Sequence, residues 1–316
     1  MAARSGGVAF ITGGSSGIGL GIAKACAAAG LKVALGYRQE RRLPDALAAL
    51  KGYPDIVPIH VEVTDRDSFR RAADEAEARF GKIHILVNCA GASLFGPMDI
   101  ATYDDWDWVL GVNLGGVINS LVTVLPRIKA HGEGGHVVNV ASMASFLPGV
   151  EAGLYTTSKF AVRGLTECLR LTLAPHGIGV SLAAPALTAT NMFEAALARP
   201  AHLSRTAFPH DAAMAERLRA IHALGSDPFA VGEHIVQGMF NNEPVIFTHS
   251  GFADELRGDF EEILMAAPKG PADPRQAPIE AARRERKDSA KLEANAISLG
   301  QHSGAERPMK RRKYAG

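Results

Sequence analysis

Cysteine is scarce in this chain, with Cys26, Cys89 and Cys168 the only three among 316 residues. An odd count without paired spacing argues against a disulfide framework. The three have no metal-ligand spacing, so reduced thiols in a cytoplasmic protein and no metal site are expected. An excess of one charge is also lacking: 34 Lys and Arg face 33 Asp and Glu, for a net charge of +1. That balance gives no overall case for a nucleic-acid or membrane partner. No basic-then-apolar leader precedes Val8, and no apolar run approaches ~20 residues, so neither a secretion signal nor a membrane span is expected. Aromatics are few at 6%, but 47% of the residues are apolar. That is enough for a full core, except in the last fifty or so residues, which are poor in core material.

What is present alternates. Short, mostly continuous apolar runs at Val8 to Ile11, Lys32 to Tyr37, Ile56 to Val63, Ile83 to Asn88, His136 to Ala141, Gly179 to Ala184 and Val245 to Thr248 read as buried parallel strands. Helical stretches follow Gly17, Arg41, Ser68, Thr102, Tyr155 and Pro228. The fold expected is α/β, a Rossmann-like doubly wound parallel sheet of about seven strands with helices on both faces. A helix over Tyr155 to His176, with Ala161, Leu165, Leu169 and Leu173 in one stripe, could also serve a subunit contact in a homodimer or homotetramer.

The first strand runs into Thr12-Gly13-Gly14-Ser15-Ser16-Gly17-Ile18-Gly19 and then into a helix pattern that stops at Gly30. Strand, glycine turn and helix N-terminus present free backbone N–H groups to a pyrophosphate, and the glycines let it approach. The second signal is Tyr155 and Lys159, which share a helix face just after the strand that leads to Ser142. A free phenol ionises near pH ~10, and bringing that to ~8 takes roughly 3 kcal/mol. A lysine ammonium and a positive nicotinamide ring could supply it, leaving Ser142 to hold the reacting oxygen. Ser142 is not read as a nucleophile, because its turn lacks G-x-S-x-G.

Together, Thr12-Gly13-x-x-x-Gly17-x-Gly19, Asn88-Cys89-Ala90-Gly91, Asn113, Ser142 and Tyr155-x-x-x-Lys159 resemble the single-domain short-chain dehydrogenases/reductases over roughly residues 6 to 250. The resemblance implies an NAD(P)-dependent oxidoreductase for secondary alcohols and ketones. It implies Tyr155 as acid/base, Lys159 as its electrostatic partner and a holder of the ribose, and Asn113 as a fourth member whose helix distortion holds a relay water. Cofactor contacts implied are Gly13, Ser15, Ser16, Gly17, Ile18, Gly19, Glu62, Val63, Asn88, Ala90, Gly91, Pro185, Thr188 and Thr190. Glu62 replaces the family's usual Asp, and Ala186 its usual Gly. The segment Ala101 to Trp108, Val112 to Asn119 and the Pro185-Ala186 pair are similar to bacterial aryl alcohol Cα-dehydrogenases acting on lignin-derived aryl ethers, which generally prefer NAD.

The end of the second strand bears on that choice. Tyr37 stands where NAD-preferring relatives carry Asp, and Arg38, with Arg41 and Arg42 behind, could pair with a 2′-phosphate. NADP(H) is therefore expected, with NAD(H) possible, and Tyr37 could stack on adenine with either. The substrate should be a bulky, largely apolar small molecule, met by Leu94, Phe95, Met143, Phe146 and Leu154 on one wall and by Met192 and Phe193 of a lid near 187–227 on the other. A catalytic unit over 1–250 should be followed by a helix over 251–266 and a charged, Pro-rich tail over 267–316. That tail is read as partly disordered or as an exposed helix over Ile279 to Ile297, and it carries Lys310-Arg-Arg-Lys313. A non-catalytic NADP-binding regulator is the alternative of another class, and Tyr155 with Lys159 argues against it.

Overall fold

The computed structural model describes residues 6–208, 212–271 and 273–297. Seven strands, β1 (Val8–Thr12), β2 (Lys32–Tyr37), β3 (Ile56–His60), β4 (Ile83–Asn88), β5 (Gly135–Val140), β6 (Ile178–Ala184) and β7 (Val245–Phe247), form one sheet in the order β3-β2-β1-β4-β5-β6-β7. Every pairing is parallel. β1, β4, β5 and β6 are buried along their whole length, which explains why their sequences are continuous apolar runs rather than alternating ones.

Successive side chains of β1 point to opposite faces and seed two cores. Ala9 and Ile11 pack with Ile22, Ala23 and Cys26 of α1 (Gly17–Ala28), Ala46 of α2 (Leu43–Ala49) and Val231 and Ile235 of α8 (Pro228–Phe240). Phe10 packs on the other side with Phe69 and Ala72 of α3 (Arg66–Phe80), Trp108 of α4 (Tyr103–Leu110), Val124 and Ile128 of α5 (Gly116–His131) and Leu173 of α6 (Gly153–Leu173). Strand order reverses between β1 and β4, which opens a crevice at the carboxyl ends of the strands.

Three boundaries differ from the sequence reading. The third strand ends at His60, and Val61 to Val63 leave the ladder after Val61 N–H donates to the Tyr37 carbonyl at 2.8 Å. The long helix ends at Leu173 and gives way to a 3-10 turn, Ala174–His176, because Pro175 lacks the N–H needed to continue it and Gly177 takes a left-handed φ of 64°. α4 and α5 are joined by a π-turn, Gly111–Gly115, into one helix of 29 residues, Tyr103–His131. It is long and apolar enough to cross a membrane by length and composition, and it packs on the sheet through Trp108, Val124 and Ile128.

Beyond β6 the chain makes a long excursion whose neck is closed by backbone bonds, Ser226 N–H to Leu187 O at 3.0 Å and Ala189 N–H to Ser226 O at 2.9 Å. Within it lie a 3-10 segment, Asn191–Ala198, and α7 (Ala212–Ala223). α9 (Ala253–Met265) and α10 (Ala277–Ala296) follow β7. Arg170 of α6, almost fully buried, anchors α10 by donating to Ala294 O at 3.3 Å and Asn295 Oδ1 at 3.1 Å. The basic run Lys310 to Lys313 lies outside the described residues.

Candidate active site

A cavity of about 660 Å³ occupies the crevice. Its floor is the β1–α1 turn, where Gly13 and Gly17 hold φ of +67° and +52° and a Cβ on Gly19 would lie 2.2 Å from the Gly13 carbonyl oxygen. Side chains larger than hydrogen would fill this cradle. Ser16, the N-cap of α1, makes no side-chain capping bond, and no acidic residue stands in the first turn, so the helix N-terminus is suited to an anion. Thr12 Oγ1 accepts from Cys89 N–H at 3.0 Å and Ala90 N–H at 3.2 Å, which ties the β4 loop to the same turn.

At the other end of the cavity stand Ser142, Tyr155 and Lys159. Ser142 begins the loop after β5, where its Oγ accepts from Ala144 N–H at 3.1 Å and donates to the Pro185 carbonyl at 3.4 Å. Lys159 is buried, donates to the Val140 carbonyl at 3.0 Å, and holds its Nζ 5.3 Å from the Tyr155 ring centre. Burial pushes the phenol up to about 12 against the lowering pull of Ser142, and burial also brings the lysine down to about 8. In the protein alone, desolvation of Tyr155 outweighs the opposing interactions.

Asn113 sits in the π-turn with its side chain fully committed. Oδ1 accepts from Ala92 N–H at 2.8 Å, and Nδ2 donates to Ala92 O and to Ser158 Oγ, each at 2.9 Å. A Cβ on Gly91 would lie 3.5 Å from Asn113 Oδ1 and 3.9 Å from Lys159 Nζ, so the Gly91 segment is held between them.

The adenosine end is lined by Tyr37, Arg38, Gln39, Arg42, Glu62 and Val63. Arg38 pairs with Glu62 at 3.6 Å and donates to the Ala198 carbonyl at 3.1 Å. Arg42 donates to Glu194 at 2.9 Å, and Arg41 lies 3.7 Å from the same carboxylate. The excursion that carries Glu194 and Ala198 is fixed further on, where Arg199 meets the buried Asp105 at 2.5 Å and Arg205 meets Asp104 at 2.8 Å.

A model of the short chain dehydrogenase family matches residues 7–200. The C alpha-dehydrogenase of Sphingobium sp. strain SYK-6 is 38% identical over 272 residues, 85% of this chain and 89% of that protein. This chain is a short-chain dehydrogenase. Two solved structures agree in fold. A short chain dehydrogenase/reductase from Burkholderia phymatum in complex with NAD has a TM-score of 0.79 at 31% identity, covering 86% of this chain and all of that one. The apo form of LigD from Sphingobium sp. strain SYK-6 gives 0.70 at 34% identity, covering 84% and 99%. As a short-chain dehydrogenase the protein is an NAD(P)-dependent alcohol dehydrogenase or ketone reductase acting on a small molecule.

The dehydrogenase brings most of the sequence-read residues to one cavity: Gly13, Ser15 to Gly19, Tyr37, Arg38, Glu62, Val63, Ala90, Gly91, Pro185, Thr188 and Thr190 line it with Ser142, Tyr155 and Lys159. Phe95, Met143 and Met192 line its substrate end. Asn88 does not line it. Its amide donates to Asn139 Oδ1 at 2.8 Å and stitches β4 to β5. Leu94 and Leu154 are buried in the core beside Trp108, and Phe146 packs against Phe247 and beneath the Arg163 guanidinium. The Phe193 side chain lies outside the described residues. The sequence reading missed Cys89, Trp108, Glu194 and Ile221 as cavity residues. Cys89 is a neutral wall, its thiol pushed up to about 12 by burial.

Proposed function

We propose that the enzyme interconverts a bulky, largely apolar or aromatic ketone and its secondary alcohol with NADP(H). The reading rests on one observation: Ser142 and Tyr155, with Lys159 behind them, line one cavity beside a wall made of Phe95, Trp108, Met143, Met192 and Ile221. A carbonyl oxygen seated between Ser142 and Tyr155 accepts both hydroxyls. With its pKa pushed up to about 12, Tyr155 is protonated at neutral pH and able to donate as negative charge grows on that oxygen. The Lys159 ammonium stabilises the phenolate left behind, and Asn113 keeps the Gly91 segment in place beside it. Bound in the crevice, the nicotinamide supplies or accepts the hydride, and its oxidised form adds the positive charge that eases Tyr155 toward acting as a base.

The lean to NADP(H) comes from the absence of an acid at Tyr37 and from Arg38 and Arg42 lining the adenosine end, with Arg41 next to them in sequence. A second reading, an NAD(H)-linked Cα-dehydrogenase, draws support from the 38% identical relative and from the carboxylates of Glu62 and Glu194 that already pair with those arginines. The lid over 187–227, with Met192 and α7, would close the substrate end. Exposed Ile118 and Val122 of α5 and Phe160 of α6 offer a surface for self-association in a cytoplasmic homodimer or homotetramer. Initial rates with NADPH and NADH on a panel of aryl and alkyl ketones test the reading. Turnover of aryl ketones with NADPH supports it, and inactivity with every ketone and alcohol would favour a non-catalytic binding role.

A further inference from the structure

The arginines that would receive a 2′-phosphate are occupied, and by one segment of the chain. Glu194 places its carboxylate 2.9 Å from Arg42 and 3.7 Å from Arg41. Four residues on, the Ala198 carbonyl takes 3.1 Å from Arg38, whose other partner is Glu62 at 3.6 Å. Thus all three guanidiniums hold either the 3-10 segment Asn191–Ala198 or Glu62. That segment also carries Met192, which lines the substrate end of the same cavity. One short stretch therefore bridges the adenosine end and the substrate end. Its far side is fastened separately by the Arg38 bond to Ala198 and by the Arg199–Asp105 pair, so releasing Glu194 loosens the stretch around Met192 without undoing the rest of the excursion.

We infer that Glu194 is an internal anion that competes with the cofactor's 2′-phosphate for Arg41 and Arg42, so that binding of that phosphate displaces the segment that carries Met192. This rests on the reading that the arginines face the adenosine ribose. A phosphate carries more charge and more acceptor oxygens than a carboxylate and can take over both guanidiniums. Glu194 is linked to them through groups that are partly exposed, so the contact is of a strength that a ligand can exchange. Glu194 then sets how strongly the site discriminates between phosphorylated and unphosphorylated cofactors. Recognition at the adenosine end moves a wall of the substrate end.

Calorimetric titration of the full-length protein with 2′,5′-ADP and with 5′-ADP, together with hydrogen exchange over 191–198, tests this without turnover. In Glu194→Gln, 2′,5′-ADP should bind about tenfold more tightly, the size of one lost charge-assisted competitor, while 5′-ADP changes by less than about twofold. In the wild type, 2′,5′-ADP should speed exchange over 191–198 and 5′-ADP should not. In Glu194→Gln the segment should already exchange faster without ligand. Equal effects on both ligands, or unchanged exchange with 2′,5′-ADP, would overturn the inference. The cofactor reading is scored separately. A wild type that favours 5′-ADP while Glu194→Gln gains for 2′,5′-ADP keeps the inference and removes the NADP(H) preference, whereas a wild type that favours 2′,5′-ADP with no gain in Glu194→Gln does the reverse.

Discussion

Lys159 holds its ammonium 5.3 Å from the Tyr155 ring centre and donates to the Val140 carbonyl at 3.0 Å, which fixes the cation between the phenol and the end of β5. Burial brings this lysine down to about 8. The ammonium should therefore be lost as pH rises through that value, and kcat/KM for ketone reduction by the free enzyme should fall above about pH 8. Lys159→Arg, whose charge persists, should move that limb to higher pH. The sign for stability is the opposite of the usual ion pair. A lysine lowered in the folded state makes the protein bind fewer protons than the unfolded chain between about 8 and its ordinary value of 10.5, so its burial penalty is full below 8 and fades as pH rises. Thermal melts should show Lys159→Met gaining more over the wild type at pH 7 than at pH 9.

The Arg199–Asp105 pair is enclosed, with 7% and 0% of the side chains exposed. Burial alone would raise the Asp105 carboxyl, but hydrogen bonds from Arg199 and Thr102 outweigh it and hold the group below the usual carboxylate range. Asp105→Ala leaves a buried guanidinium without its counter-charge and should cost about 3 kcal/mol in denaturant unfolding. It should also loosen the excursion that carries Met192 and raise KM for a bulky ketone more than it lowers kcat. An unchanged KM in a folded variant would show that this clamp has no part in shaping the substrate end.

A methyl group at Gly19 would lie 2.2 Å from the Gly13 carbonyl oxygen and force the turn apart. Gly19→Ala should weaken binding of both NADPH and NADH by about 100-fold or more, since approach of the pyrophosphate to the backbone is lost. Nicotinamide fluorescence titration reads this directly, with the Tyr155→Phe variant as a control whose affinity should stay close to that of the wild type.

The fold was legible because its signals are local. Seven apolar runs, a glycine turn and the helix stop at Gly30 each act within a few residues. The catalytic trio was legible because Tyr155 and Lys159 share a helix face and Ser142 follows a strand. Side-chain direction was harder. Leu154 is adjacent to Tyr155, but on a helix neighbours diverge by about 100°, which turns Leu154 into the core while Tyr155 faces the cavity. Glu194 gave no signal at all, since its partner Arg42 lies 152 residues away in sequence. The burial that raises the phenol in the protein alone is hard to read for a similar reason: spacing reveals a nearby cation, whereas desolvation depends on every element that packs around the group.

Tyr155 is proposed as the proton donor and acceptor of an NAD(P)-dependent reaction. Tyr155→Phe removes one hydroxyl from a group that makes no contact essential to the sheet. Stopped-flow or steady-state reduction of an aryl ketone that the wild type turns over, followed by loss of NAD(P)H absorbance, is the most direct measurement. The account predicts turnover lowered by at least about 100-fold with cofactor affinity nearly intact. A Tyr155→Phe enzyme that reduces the ketone at the wild-type rate would contradict it.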